Sequence, residues 1–216
     1  MRGKYVVTEE AVRKNMPIVW ERISRYLRLG ISWNELGKEL RRKAKREGRT
    51  FIGFGTAIDF EKGKWRAGLR YNRSRKKPKI LYPYLYFQPF VKDKKDMIHL
   101  IGHELMHIYQ GTYLSVYDDE HFFWVFREAC AEVVSARIAA GSRSKEKPFY
   151  NEYLIQALIE KVRKLDRDEL IEFVTFPKRE KDSIVLFNRI VDMLDAKAYI
   201  TWLKKINKMR EKRNKN

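Results

Sequence analysis

The chain has 216 residues, the length of one domain, and a composition of 44% hydrophobic and 13% aromatic residues excludes wholesale disorder. No apolar run approaches the roughly 20 residues of a bilayer-spanning helix, and the lone Cys130 excludes a disulfide framework or a multi-cysteine metal site. With 47 Lys and Arg against 28 Asp and Glu the formal charge is +19, a field that attracts polyanions without naming one.

Glu9, Glu10, Arg13, Lys14 and Asn15 stand where an export signal would place its apolar segment, so a cytoplasmic protein is expected. Scarce Gln beside abundant Lys, Arg and Glu leans towards a thermophile composition. Over residues 9–29, Val12, Met16, Ile18, Val19, Ile23, Tyr26 and Leu27 recur at helical spacing, and Gly30 supplies the stop. Ser32 opens a second helix through Leu36 and Leu40 into the basic cluster Arg41, Arg42, Lys43, Lys45 and Arg46, ended by Gly48. Residues 50–60, 65–71 and 80–87 read as strands, with turns at Lys62-Gly63 and Lys77-Pro78. From Asp93 the pattern is helical. One helix runs to Gln110 and is stopped by Gly111, and a second runs from about Asp118 to Ala140 and is stopped by Gly141. Segments follow near 150–165, 168–174 and 183–209, the last with a break near Asp195.

The expected class is α+β and mostly helical. A small antiparallel or mixed sheet of about three strands packs against the two central helices, with extra helices at both ends. The expected organisation is a single domain over 1–216, with N-terminal helices in 1–48, a core in 49–141 and a helical C-terminal part in 142–216 that ends in a basic tail.

All four histidines fall between positions 99 and 121, two of them in His103-Glu104-Leu105-Met106-His107. Residues four apart on a helix are separated by about 40° and about 6 Å, so two imidazoles can meet on one ion. Glu104, on the adjacent flank, is placed to accept a proton from water activated there. Leu100, Ile101, Leu105, Met106 and Ile108 make the helix suited to burial, and Asp93 or Asp96 can cap its start.

A catalytic zinc needs a third protein ligand and an open position. Glu128 leads, in a segment whose Phe122, Val125, Phe126, Val133, Val134 and Ile138 suggest burial and whose Ala129 and Ala131 permit close packing. Glu132, one turn on, would accept the free N–H of a ligand histidine. The other reading makes both glutamates solvated residues of an outer face. His121 competes as third ligand, or donates a hydrogen bond to the oxyanion as Tyr113 or Tyr117 would. On one helix His121 and Glu128 would stand about 10.5 Å apart, too far to share an ion. His99 is about 12 Å along the axis from His107 and reads as packing or a neighbour of the site, and Cys130 reads as core.

His103 to His107, followed about twenty residues later by Glu128-Ala129-Cys130-Ala131-Glu132, resembles the signature of the gluzincins, the thermolysin-like zinc metallopeptidases. The resemblance covers about fifty residues. It implies Zn2+ held by His103, His107 and Glu128, with Glu104 as general base and then acid, Glu132 bracing a histidine, and peptide-bond hydrolysis. It also implies an edge strand before the HExxH helix that holds an extended peptide, with residues 80–87 in the place for it. A second resemblance, to the SprT and WLM groups of DNA-associated proteases, would use His121 as third ligand and join the motif to the charge.

Positions 62–79 carry nine Lys and Arg and no acid, interleaved with Trp65 and Tyr71. With the tail from Lys204 to Lys215 they form a candidate surface for DNA or RNA, or else a solvated hairpin and a frayed end. The expected partners are therefore a protein or peptide substrate and, through these segments, nucleic acid. A different class of function remains beside the protease: a non-catalytic, basic nucleic-acid-binding protein.

Overall fold

Thr8 accepts a hydrogen bond from the Ala11 N–H at 3.1 Å and so caps α1 (Glu9–Tyr26), where Val12, Met16, Val19, Trp20 and Ile23 form one buried stripe. The chain then turns through Gly30 at φ +66, a conformation glycine adopts freely. Ser32 closes a capping box with Glu35 and starts α2 (Trp33–Arg46), which buries Leu36, Leu40 and Ala44. The computed structural model describes residues 5–58, 67–71, 80–81, 83–113, 120–140, 153–175, 182–201 and 203–204. The predicted turns at Lys62-Gly63 and Lys77-Pro78 lie outside these residues, as do most of the basic segment 62–79 and the tail beyond Lys204.

The strands are shorter and more numerous than the sequence suggested. The single strand expected over 50–60 divides into β2 (Thr50–Phe51) and β3 (Gly55–Ile58), and that over 80–87 into β5 (Ile80–Leu81) and β6 (Pro83–Phe87). The cause is visible in the register. Phe51 is opposite Leu81 and Gly55 opposite Tyr84, so the first segment spends one more residue than its partner between the pairs. The excess is taken up around Gly53 at φ +120, as in a bulge. β4 (Ala67–Tyr71) pairs antiparallel with β6 while β3 pairs parallel with it, giving a mixed three-stranded sheet in the order β3-β6-β4. A further small antiparallel pair joins β1 (Tyr5–Val6) to β7 (Phe90–Val91).

The central strand β6 buries Leu85 and Phe87 and leads through β7 into α3 (Lys94–Tyr113), the HExxH helix. Asp93 is its N-cap: the carboxylate accepts from the Asp96 N–H at 2.9 Å, and Asp96 in turn accepts from the Lys92 N–H at 2.9 Å. Both acids named as alternative caps therefore serve. The predicted stop at Gly111 is corrected, because α3 continues to Tyr113. A helical glycine costs only about 1 kcal/mol relative to alanine. Here Lys43 Nζ donates to the Gly111 carbonyl, placing a cation where the helix dipole favours one.

α4 (Glu120–Ala140), α5 (Tyr153–Lys164), α6 (Arg167–Thr175) and α7 (Asp182–Met193) complete the helices, which makes the fold α+β and mostly helical. The expected break near Asp195 is present: Asp195 accepts from the Ala198 N–H at 2.7 Å and starts a further helical stretch at 196–201. No helix among the described residues is long and apolar enough to cross a membrane.

Contacts divide the chain into two units, Met1–Thr112 with Val134–Ser144, and Tyr113–Val133 with Lys145–Asn216. The first holds the sheets, α1, α2, nearly all of α3 and the end of α4, around Trp20, Leu40, Phe87, Met97 and Ile101. The second holds the start of α4 with α5, α6 and α7, around Ile155, Leu158, Val162, Leu170 and Ile190. In the same unit the Phe173 ring lies 5.6 Å from the Phe126 ring and beneath the Arg189 guanidinium.

Within the first unit α3 approaches α4 at Gly102. A Cβ built there would lie 3.1 Å from Ser135 Cβ and 3.5 Å from Val19 Cγ1. Arg137 ties the same end of α4 to α1 by donating to the Tyr26 hydroxyl at 2.8 Å. Gly102→Val adds volume against Ser135 Cβ and Cα, which move only with the α4 backbone, and against the Val19 side chain. The expected loss is about 1–3 kcal/mol, read as a lowered urea midpoint; an unchanged midpoint would show that this crossing does not depend on the missing side chain.

Candidate metal centre

The crossing at Gly102 and Ser135 directs chemistry to one place. His103 and His107 follow Gly102 on α3, while Glu128 precedes Ser135 on α4 by seven residues, two turns along the same face. The outcome is a group of three. Among the described residues, one ligand atom each from His103, His107 and Glu128 lie within 4.8 Å of one another. The two imidazoles stand Nε2 to Nε2 at 3.0 Å with ring planes at 81°. An ion bound tetrahedrally at about 2.0–2.1 Å from each nitrogen sets its ligand atoms about 3.4 Å apart, so the histidine pair needs an adjustment of only a few tenths of an ångström to hold one.

The side chain of Gln110 orients this pair. Its Oε1 lies 3.1 Å from His107 Nδ1. A carbonyl oxygen only accepts, so the contact requires the proton on Nδ1 and leaves the Nε2 lone pair facing His103. Gln110 is 2% exposed and was not singled out from the sequence. The signal was available in its position, three residues after His107 and hence beside it on the same helical face. Gln110→Ala is expected to weaken metal affinity about 10–100-fold, the usual cost of removing a group that orients a ligand imidazole. Competition against a chelating dye measures it, and an unchanged affinity would remove the role.

His103, Glu104, Glu128 and Glu132 are all at least nine-tenths buried, and His107 is partly exposed. The reading of Glu128 and Glu132 as solvated residues of an outer face is therefore excluded. Buried carboxylates need compensating positive charge or hydrogen bonds, and a dication held by His103, His107 and Glu128 would supply the former. Glu104 adjoins His103 in sequence, about 100° around the helix, on the flank of the group.

His99 is buried one turn before His103 and is not part of the group. Cys130 is 1% exposed, and burial pushes its thiol well above the usual range, so it remains a protonated core residue as expected. The His121 backbone belongs to the first turn of α4, about 10.5 Å along the axis from Glu128. Its side chain, that of Tyr113 and the whole of Tyr117 lie outside the described residues.

The expected edge strand at 80–87 is corrected. β6 is bonded to β3 on one side and β4 on the other, and β5 is bonded to β2, so β6 has no free edge on which a substrate strand could pair. No protein-family model, curated protein or solved structure matches the chain.

Proposed function

We propose that the chain is a zinc-dependent peptidase. The observation that carries this reading is the convergence of His103, His107 and Glu128, with Glu104 adjoining the first of them in a buried helix. Two imidazoles and one carboxylate suit zinc better than magnesium or calcium, which take mainly oxygen ligands. Three protein ligands are also the number a catalytic zinc uses, leaving a position for water or substrate.

When bound, the ion supplies Lewis acidity, lowering the pKa of water towards about 7 and polarising the scissile carbonyl. The chain's own residues do the rest. Glu104 takes the proton from the attacking water and then delivers it to the departing amine. Gln110 holds His107 in the tautomer that presents Nε2, and Glu132, on α4 one turn after Glu128, is assigned to brace a ligand histidine. An extended protein or peptide segment is the substrate, and a reducing, cytoplasmic setting suits the buried free thiol of Cys130.

The test combines metal analysis of the purified chain with cleavage of an unstructured protein. Near-stoichiometric zinc is expected, with hydrolysis that a chelator abolishes and added zinc restores. Bound metal without cleavage of any peptide would reduce the centre to a structural one, and cleavage indifferent to chelation would remove metal from the chemistry.

A further inference from the structure

The residues of α2 are sorted by chemistry around its axis. Leu36, Leu40 and Ala44 are fully buried, while Lys38, Arg41, Arg42, Lys45 and Arg46 are exposed. At about 100° per residue these five cations fall within an arc of roughly 140° facing away from the apolar stripe. From Lys38 to Arg46 they cover about 12 Å of helix axis.

The acids near that arc are already engaged. Glu35 accepts from the Ser32 N–H in the capping box, Glu39 pairs with Arg42, and Glu47 pairs with Lys43 and Arg49. Among the described residues, the side chains of Arg41, Lys45 and Arg46 make no ion pair or hydrogen bond. Arg41 with Lys45, and Arg42 with Arg46, are like charges one turn apart, a spacing that works against a helix unless something outside it answers the charge.

We infer that the exposed face of α2 is an electrostatic docking surface for the phosphate backbone of nucleic acid. The inference is independent of the metal centre. A membrane is the weaker match, because an amphipathic helix holds a bilayer by inserting its apolar side, and that side of α2 is spent in the core. What remains is a short line of cations. Duplex DNA carries one charge per about 1.7 Å of its axis with both strands counted, so a stretch of about 12 Å presents about seven phosphates, roughly half of them on the strand nearer α2. Recognition of this kind positions the duplex without reading its sequence.

The experiment measures binding of the full chain to a mixed-sequence DNA duplex by fluorescence anisotropy across a salt series. One variant replaces Lys38, Arg41, Lys45 and Arg46 by Gln, which keeps helix propensity and the capping box. A second removes the same charge elsewhere by replacing Lys14, Arg22, Lys161 and Lys164, all exposed, by Gln. Each phosphate contact contributes about 0.9 to the slope of log affinity against log salt. The α2 variant is expected to lose roughly two to four from that slope and about 10–100-fold in affinity at moderate salt, with the second variant losing far less. Circular dichroism checks that the α2 variant is folded, and the milder double variant Arg41→Gln with Lys45→Gln, expected to lose about half as much slope, decides the matter if it is not. Equal losses in the two four-residue variants would show that only net charge matters, and no loss in the α2 variant would show that α2 touches no phosphate; either overturns the inference. Tighter, α2-dependent binding to phosphatidylserine vesicles than to the duplex at the same ionic strength would overturn the choice of nucleic acid.

Discussion

Glu104→Gln is expected to retain zinc and to lower the turnover number by about 10²–10⁴-fold or more, leaving KM nearly unchanged. Glutamine matches the shape of glutamate and can occupy the same buried place beside His103, which is 7% exposed. It cannot take a proton. The substitution therefore removes the base while leaving His103, His107 and Glu128, and the fold that carries them, as they are. Metal content and hydrolysis rate, measured on one preparation, separate the roles. Loss of zinc in this variant would make Glu104 a ligand or a structural support, and full activity would place the base elsewhere. Because the side chain lies within the packed α3, the urea midpoint of the variant is the necessary companion measurement.

Most of the helical framework was legible because its signals are local. Ser32 with Glu35, Asp93 with Asp96, and Asp195 with Ala198 are contacts made within one helical turn, so their sequence spacing alone carries them. The histidine pair was legible for the same reason. The joining of Glu128 to that pair is a longer-range event: it depends on the close approach at Gly102 and Ser135, residues that carry no chemistry of their own and were not singled out. The sheet was less legible still. Parallel pairing of β3 with β6 and the one-residue excess around Gly53 depend on register between distant segments, which periodicity within a single strand cannot encode. The same register places β6 in the middle of its sheet and removes the substrate edge that resemblance had suggested. Gln110 belongs to a third kind, a residue visible in the sequence whose role appears only once the proton on His107 has to be assigned.

Glu128→Ala is expected to reduce zinc affinity by more than the 10–100-fold assigned to Gln110→Ala, because it removes a ligand and not a residue that orients one. His121→Ala is expected to leave zinc in place. The order follows from the geometry of α4, a continuous helix over Glu120–Ala140 on which the two positions are two turns apart, about 10.5 Å along the axis. An ion centred within reach of a Glu128 carboxylate, His103 and His107 cannot draw a second ligand from that distance without unwinding the first turns of α4. If His121 serves instead as a donor to the developing oxyanion, His121→Ala lowers turnover at full zinc occupancy, whereas a ligand role lowers both together. Measuring affinity and turnover for the two variants therefore gives distinct signatures for the rival assignments. Retention of zinc in Glu128→Ala with its loss in His121→Ala would transfer the third ligand to His121 and end the gluzincin-like reading. The carboxylate of Glu128 would then need another explanation for its burial, and charge compensation by neighbouring donors would have to offset a cost of several kcal/mol.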